Sequence, residues 1–141
     1  MLRFSNQNVS SPGITFVPEF STYSKNFEED ESEVVAIDVS SCHLLEICNI
    51  ASGNRTAFSL THLTMRQLDG KYPEILLEGL GKVLEKFEAI GGDISTAVVR
   101  IYGGTSDEKL RNSLRLNLAN ALEKLGVKQT KMVPKFHMTK P

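Results

Sequence analysis

No apolar run in this chain approaches the roughly 18 residues that a membrane-spanning helix needs, so nothing in it reads as membrane-inserted. Its first residues, MLRFSNQNVSSPG, lack the apolar centre of a secretory signal. Cysteine is scarce, with only Cys42 and Cys48. A bridge between them would close a very small loop and staple little, so both read as thiols in a reducing, cytoplasmic compartment. Excess charge is also lacking. A formal net charge of −1 gives no global reason to expect nucleic acid or an anionic membrane as partner. Internal repeats and low-complexity tracts are absent, as are the P-loop and dinucleotide glycine patterns. Cys42, His43, Cys48 and His62 lack the tight paired spacing of a zinc site, so neither a metal nor a cofactor is expected.

What is there suits one well-buried core. The chain has 141 residues, 40% of them hydrophobic and 23% charged, which fits a single soluble domain and leaves little room for a second. Charge runs along a gradient: Glu28, Glu29, Asp30, Glu31 and Glu33 cluster early, and Lys124, Lys128, Lys131, Lys135 and Lys140 lie late. A solvated acidic loop and a basic edge explain both. Residues 1–12 are polar and read as poorly ordered, 13–20 as an edge strand because of Pro18, and 21–32 as a loop. Val34, Val35, Ile37 and Val39 form a short strand covered on both faces. The segment from Leu44 to Ile50 fits a helical face or a buried strand equally well. Ala51 to Asn54 is turn chemistry, and Arg55 to Met65 resumes as strand.

Two helices follow. The first opens at Pro73, buries Leu76, Leu80, Val83, Leu84, Phe87 and Ile90, and stops at Gly91-Gly92. Gly79 and Gly81 inside it suggest close packing on a sheet. The second opens with a capping box from Thr105 to Glu108 and buries Leu110, Leu114, Leu118, Ala121, Leu122 and Leu125. Strands at 96–102 and 127–133 alternate with them. The order predicts an α+β fold, with mixed or antiparallel sheets flanked by two long helices.

One stretch carries candidate chemistry. Cys42 and His62 each stand at the end of an expected strand, and a thiol beside an imidazole is the minimum for cysteine-based nucleophilic catalysis. A helix opening at Cys42 would turn backbone N–H groups toward a thiolate and a developing oxyanion. Against this, cysteine is also a common core residue and a lone histidine is usually structural. Cys48 reads as core in apolar surroundings, His43 points away from its neighbour Cys42, and His137 lies in a Lys-rich tail. Gly103-Gly104-Thr105 before a helix reads either as an anion cradle or as a turn needing positive φ.

Together these pieces resemble the CheD family of chemoreceptor glutamine deamidases. The resemblance rests on Ser41-Cys42 for the family's G-S-C motif, Thr61-His62-Leu63 for its histidine strand, and Lys71-Tyr72 opening the helix. Arg100-Ile101-Tyr102-Gly103-Gly104-Thr105 is similar to its K-I-F-G-G-A segment, and Leu125-Gly126-Val127 to its helix exit. The likeness covers roughly residues 33–133. It implies a CheD-like domain over 33–141, preceded by an N-terminal segment over 1–32, similar in fold to cytotoxic necrotizing factor-type deamidases. It further implies conversion of glutamine side chains of a signalling or chemotaxis protein to glutamate, with Cys42 as nucleophile and His62 as general base. Backbone around Ser40 and Ser41 would form the oxyanion turn. This sequence departs from the pattern at three places. Ser40 replaces a glycine, Ile37 or Ala36 stands where a threonine is usual, and the family's last strands are missing. Asp38 and Thr61 are the groups that could supply the third polar function. A sheet edge left open by the short tail would suit a protein partner, and a catalytically silent CheD-like binding module is the competing expectation.

Overall fold

The computed structural model describes residues 2–5, 14–17, 22–26, 33–37, 42–127 and 130–132. Four short strands come first: β1 (Leu2–Ser5), β2 (Ile14–Val17), β3 (Thr22–Asn26) and β4 (Glu33–Ile37). A hairpin of β5 (His43–Ala51) and β6 (Asn54–Leu63) follows, then α1 (Met65–Leu68) and α2 (Pro73–Ala89). A 3₁₀ turn at Ile94–Thr96 leads to β7 (Val98–Gly103), α3 (Glu108–Lys124) and β8 (Thr130–Met132). The architecture is α+β.

These strands form two sheets. A five-stranded sheet has the order β3-β6-β5-β7-β8, antiparallel except for the parallel β7–β8 pair. A three-stranded sheet has the order β1-β4-β2 and is parallel throughout, where mixed or antiparallel pairing was expected. Parallel neighbours need long crossovers, and the β2-to-β4 connection is long enough to contain β3. Two readings of the N-terminal segment change. Leu2–Ser5, expected to be poorly ordered, pairs with β4, and the supposed loop at 21–32 contributes β3 to the larger sheet. The acidic run at 27–32 and the strand-like Val39 lie outside the described residues.

The β5–β6 hairpin turns on Ser52 and Gly53, both at positive φ (53° and 81°), between the paired residues Ala51 and Asn54. Two successive left-handed residues match the twist of the flanking strands, which is why such turns close tight hairpins. Register shifts between Cys48 and Ile50. The bulge turns Asn49 toward the α2–β7 connection, where its amide donates to Asp93 O and Thr96 Oγ1 and accepts from Asp93 N.

Strand alternation sorts the sheet into two faces. On one, Leu45, Ile47, Ala57, Leu63, Val99 and Ile101 meet Leu80, Val83, Leu84 and Phe87 of α2 and Leu114, Leu118 and Leu122 of α3 in a single apolar core. On the other, Leu44, Phe58 and Leu60 are fully buried yet stand outside that core. β5 is therefore covered from both sides, and its alternation is hidden behind a continuous apolar run.

Both helices, each of 17 residues, depart in detail from expectation. Asp107, not Thr105, caps α3: its carboxylate accepts from Leu110 N, and Thr105 lies two residues too early. Leu110 is 43% exposed, while Arg115 takes a buried place on the helix instead. Among the described residues nothing lies within 4 Å of a Cβ at Gly79 or Gly81, so neither marks a close approach to the sheet. What had read as the end of a strand at Thr64-Met65 starts α1, capped reciprocally by Thr64 and Gln67.

Candidate active site

Cys42 leads directly into β5, and its carbonyl accepts from Gly104 N at 2.9 Å, extending the β5–β7 ladder by one step. It therefore opens a strand, and no helix N-terminus grows from it. Leu44 stands opposite His62 on β6 and opposite Tyr102 on β7. Opposed residues point to the same face, and alternation returns Cys42 to the face of Leu44. Cys42 and His62 are thus diagonal neighbours on adjacent strands, on the face away from the helices. Such positions lie roughly 7–8 Å apart in the backbone, within reach of a long side chain. Both are nearly covered, Cys42 at 4% exposure and His62 at 1%. Cys42 and Cys48 remain free thiols. Six residue steps along an extended strand put them roughly 20 Å apart, far beyond bonding distance.

The next row of the same face holds a carboxylate that sequence reading missed. Glu46 is fully buried opposite Leu60 and Arg100. Arg55 donates to it through Nε at 2.5 Å and Nη2 at 3.3 Å, the Tyr102 hydroxyl donates as well, and an Arg100 nitrogen stands 3.6 Å away. Burial pushes the Glu46 carboxyl upward, but the hydrogen bond and charge of Arg55, with the hydrogen bonds of Tyr102 and Cys48, together hold the group below its ordinary range. Tyr102 is pushed up by burial and by the Glu46 charge. Cys48 belongs to this group and not to an apolar pocket, since Arg100 Nη1 lies 3.7 Å from its sulfur. Burial and the neighbouring carboxylate push its thiol up to about 12, which leaves it a poor nucleophile. A lone acid inside a strand gives one signal only, its cost of burial, and its partners are remote in sequence.

His43 faces the helices. It is fully buried, and among the described residues neither ring nitrogen has a hydrogen-bond partner. A Cβ on Gly104, whose φ is +107°, would sit 2.5 Å from His43 Nε2, so the Gly103-Gly104 turn is shaped around this ring. Burial, then the charges of Arg115 and Arg111, lower its pKa to about 4. Arg115 donates to Gly103 O at 2.6 Å and Arg111 to Thr105 O at 3.0 Å, which ties α3 to the same turn. With Asp107 already at the helix N-terminus, the turn reading of Gly103-Gly104-Thr105 accounts for these contacts without an anion.

Of the remaining candidate residues, Ser40, Ser41 and Asp38 lie outside the described residues. Thr61 is buried opposite Leu45, on the helix face, and so does not share a face with Cys42 and His62. Among the described residues no group of three or more His, Cys, Asp or Glu side chains is placed to hold a metal ion, and no helix is long and apolar enough to cross a membrane. On the helix face, across the sheet from the Cys42 and His62 side chains, a groove of about 420 Å³ opens between the end of β6, α1 and the first half of α2. Leu63, Tyr72, Ile75, Leu76 and Leu80 supply its apolar wall. Neither a protein-family model nor a curated protein matches this chain.

Proposed function

We propose that the chain is a protein glutamine deamidase with Cys42 as nucleophile and His62 as general base. The observation that carries this reading is the ladder register, which makes the two residues diagonal neighbours on one sheet face. The CheD-like order of motifs, from Ser41-Cys42 through Thr61-His62 to Tyr102-Gly103-Gly104, supplies the substrate class. In the reaction, the Cys42 thiolate attacks the carboxamide carbon. His62 passes a proton to the departing ammonia and then takes one from the water that hydrolyses the thioester to glutamate. General acid–base help of this kind is worth about 10²–10⁴ in rate. With Thr61 on the far face, Asp38 is the candidate for the third polar group.

One observation favours a second reading, a catalytically silent CheD-like module that binds a protein. Cys42 and His62 are almost sealed, so a carboxamide reaches the sulfur only if the surface beside them opens. A thiol-reactive probe near pH 7 separates the readings. Labelling of Cys42 that is lost in a folded His62→Ala protein supports the enzyme. Loss of a substrate's mass gain of a single unit at glutamine on Cys42→Ala would confirm the reaction. An inert Cys42 in the folded protein leaves the binding module.

A further inference from the structure

The face that carries Cys42 and His62 is covered, although α2 and α3 pack on the opposite one. Leu44, Phe58 and Leu60 are fully buried there and stand outside the core beneath the helices. Among the described residues, the strands outside the five-stranded sheet are β1, β4 and β2. Chain connectivity decides where they stand. β3 runs from Thr22, opposite Thr61, to Asn26, opposite Ala57. The chain must then return to Cys42, which lies at the Thr61 end because His43 pairs with Leu63. β4 makes that return, and it pairs with β1 and β2 instead of β3, so it crosses outside the plane of the larger sheet. Cα atoms of β2 come within 8 Å of β6, whose two flanks are already filled by β3 and β5. With the helices on one face, the side left for the small sheet is the face of Cys42 and His62.

We propose that β1, β4 and β2 form an autoinhibitory cover over Cys42 and His62, which lifts as one unit from an otherwise intact larger sheet to admit the glutamine of a protein substrate. The inference rests on the deamidase reading, since only there does a sealed thiol need an entrance. The construction suits release. Its strands are four, four and five residues long, and its pairing is parallel throughout, the slightly weaker kind per residue. Small units of this sort open before the whole fold does. The larger sheet keeps a partner layer when the cover leaves, because Leu45, Ile47, Val99 and Ile101 pack on α2 and α3 from the other side. A closed majority lowers the apparent affinity for substrate in proportion to the open fraction. Whatever favours the open form therefore raises activity without touching the reacting groups.

The test uses the full chain at pH 7. Iodoacetamide labelling of each cysteine is read by mass spectrometry beside native-state amide exchange. Cys48 is the internal control, because its thiol, pushed up to about 12 by burial and Glu46, stays unreactive until the whole fold opens. In the wild type, Cys42 is expected to label before Cys48, at the rate at which β4 amides exchange, while β5, β6 and β7 stay protected. Val35 sits at the middle of the small sheet, paired with Arg3 on one side and Phe16 on the other. Val35→Pro breaks that ladder and should speed Cys42 labelling about tenfold or more, with β5, β6 and β7 as protected as before. Adding His62→Ala to this opened protein separates the two claims. Labelling that slows about tenfold, as a thiol losing its activating partner should, supports both. An unchanged rate sinks the deamidase reading and leaves the cover standing. Cys42 labelling that only keeps pace with Cys48, or that Val35→Pro leaves unchanged, would overturn the cover. So would loss of protection in β5, β6 and β7 together with β4 in Val35→Pro, since the two sheets would then be one cooperative unit.

Discussion

Arg55 grips both carboxylate oxygens of Glu46, a side chain that no water reaches, from a position itself 32% exposed. Removing one member of a buried pair leaves the other charge without its counterpart, and that typically costs about 3–5 kcal/mol. Arg55→Met should fall at the lower end, about 3 kcal/mol, because Tyr102 and Arg100 still face Glu46 and water can enter where Arg55 stood. Urea unfolding at pH 7 measures it.

Glu46 also gives a pH signature. Its folded pKa is depressed, so its contribution is present above the unfolded value and disappears as pH falls through the folded one. The stability gap between wild type and Glu46→Gln should therefore be widest near neutrality and narrow on acidification below about pH 4, the unfolded range of a glutamate. A gap that widens with acid would contradict the assigned direction.

His43 acts at higher pH. Its pKa of about 4 in the folded protein lies below the ordinary 6.5, so the unfolded chain binds the proton more readily between those values. Stability is full above pH 6.5, declines as pH drops, and levels off near 4. With about 1.4 kcal/mol per tenfold change in proton affinity, the decline totals about 3 kcal/mol. His43→Leu should flatten this window. Unfolding curves at several pH values between 7 and 4 would show whether it does.

Gly104→Ala meets three obstacles, a positive φ of 107°, a His43 ring 2.5 Å from the new carbon and Arg111 Cγ at 2.8 Å. Each mechanism alone costs about 1–3 kcal/mol. Only the second is relieved by His43→Ala, so the double variant should be more stable than the sum of the single changes predicts. Additive losses in a double-mutant cycle would mean that the ring and the turn are not coupled.

Ser52 sits at φ 53° in a position that asparagine tolerates better. Ser52→Asn should stabilise the hairpin by about 0.5 kcal/mol, visible as a small rise in Tm.

The helices were legible because each buries one side only. Leu80, Val83, Leu84 and Phe87 repeat at helical spacing, and Pro73 and Gly91 mark the limits of α2. β5 was not, because Leu44 and Leu45 are both fully buried and a strand covered on two faces has no visible period. At α3 two residues suited to capping lie close together, and hydrogen-bond geometry selected Asp107 over Thr105. The Cys42–His62 proposal came from residue types at strand ends, and the register then gave it a shared face. Glu46 stayed hidden because its partners are nine residues away at Arg55 and 56 at Tyr102. β3 was concealed by its polar composition, which pairing with β6 tolerates at the sheet edge.

Because side chains alternate along β5, sliding that strand by a single position would exchange its two sets of residues. His43 would enter the row meant for Cys42, and Glu46 would be driven into the hydrocarbon beneath the helices. The Ser52-Gly53 turn and the offset at Asn49 are the two latches against that exchange. A one-residue deletion in the hairpin loop would thus part Cys42 from the face of His62 while leaving both residues in the chain.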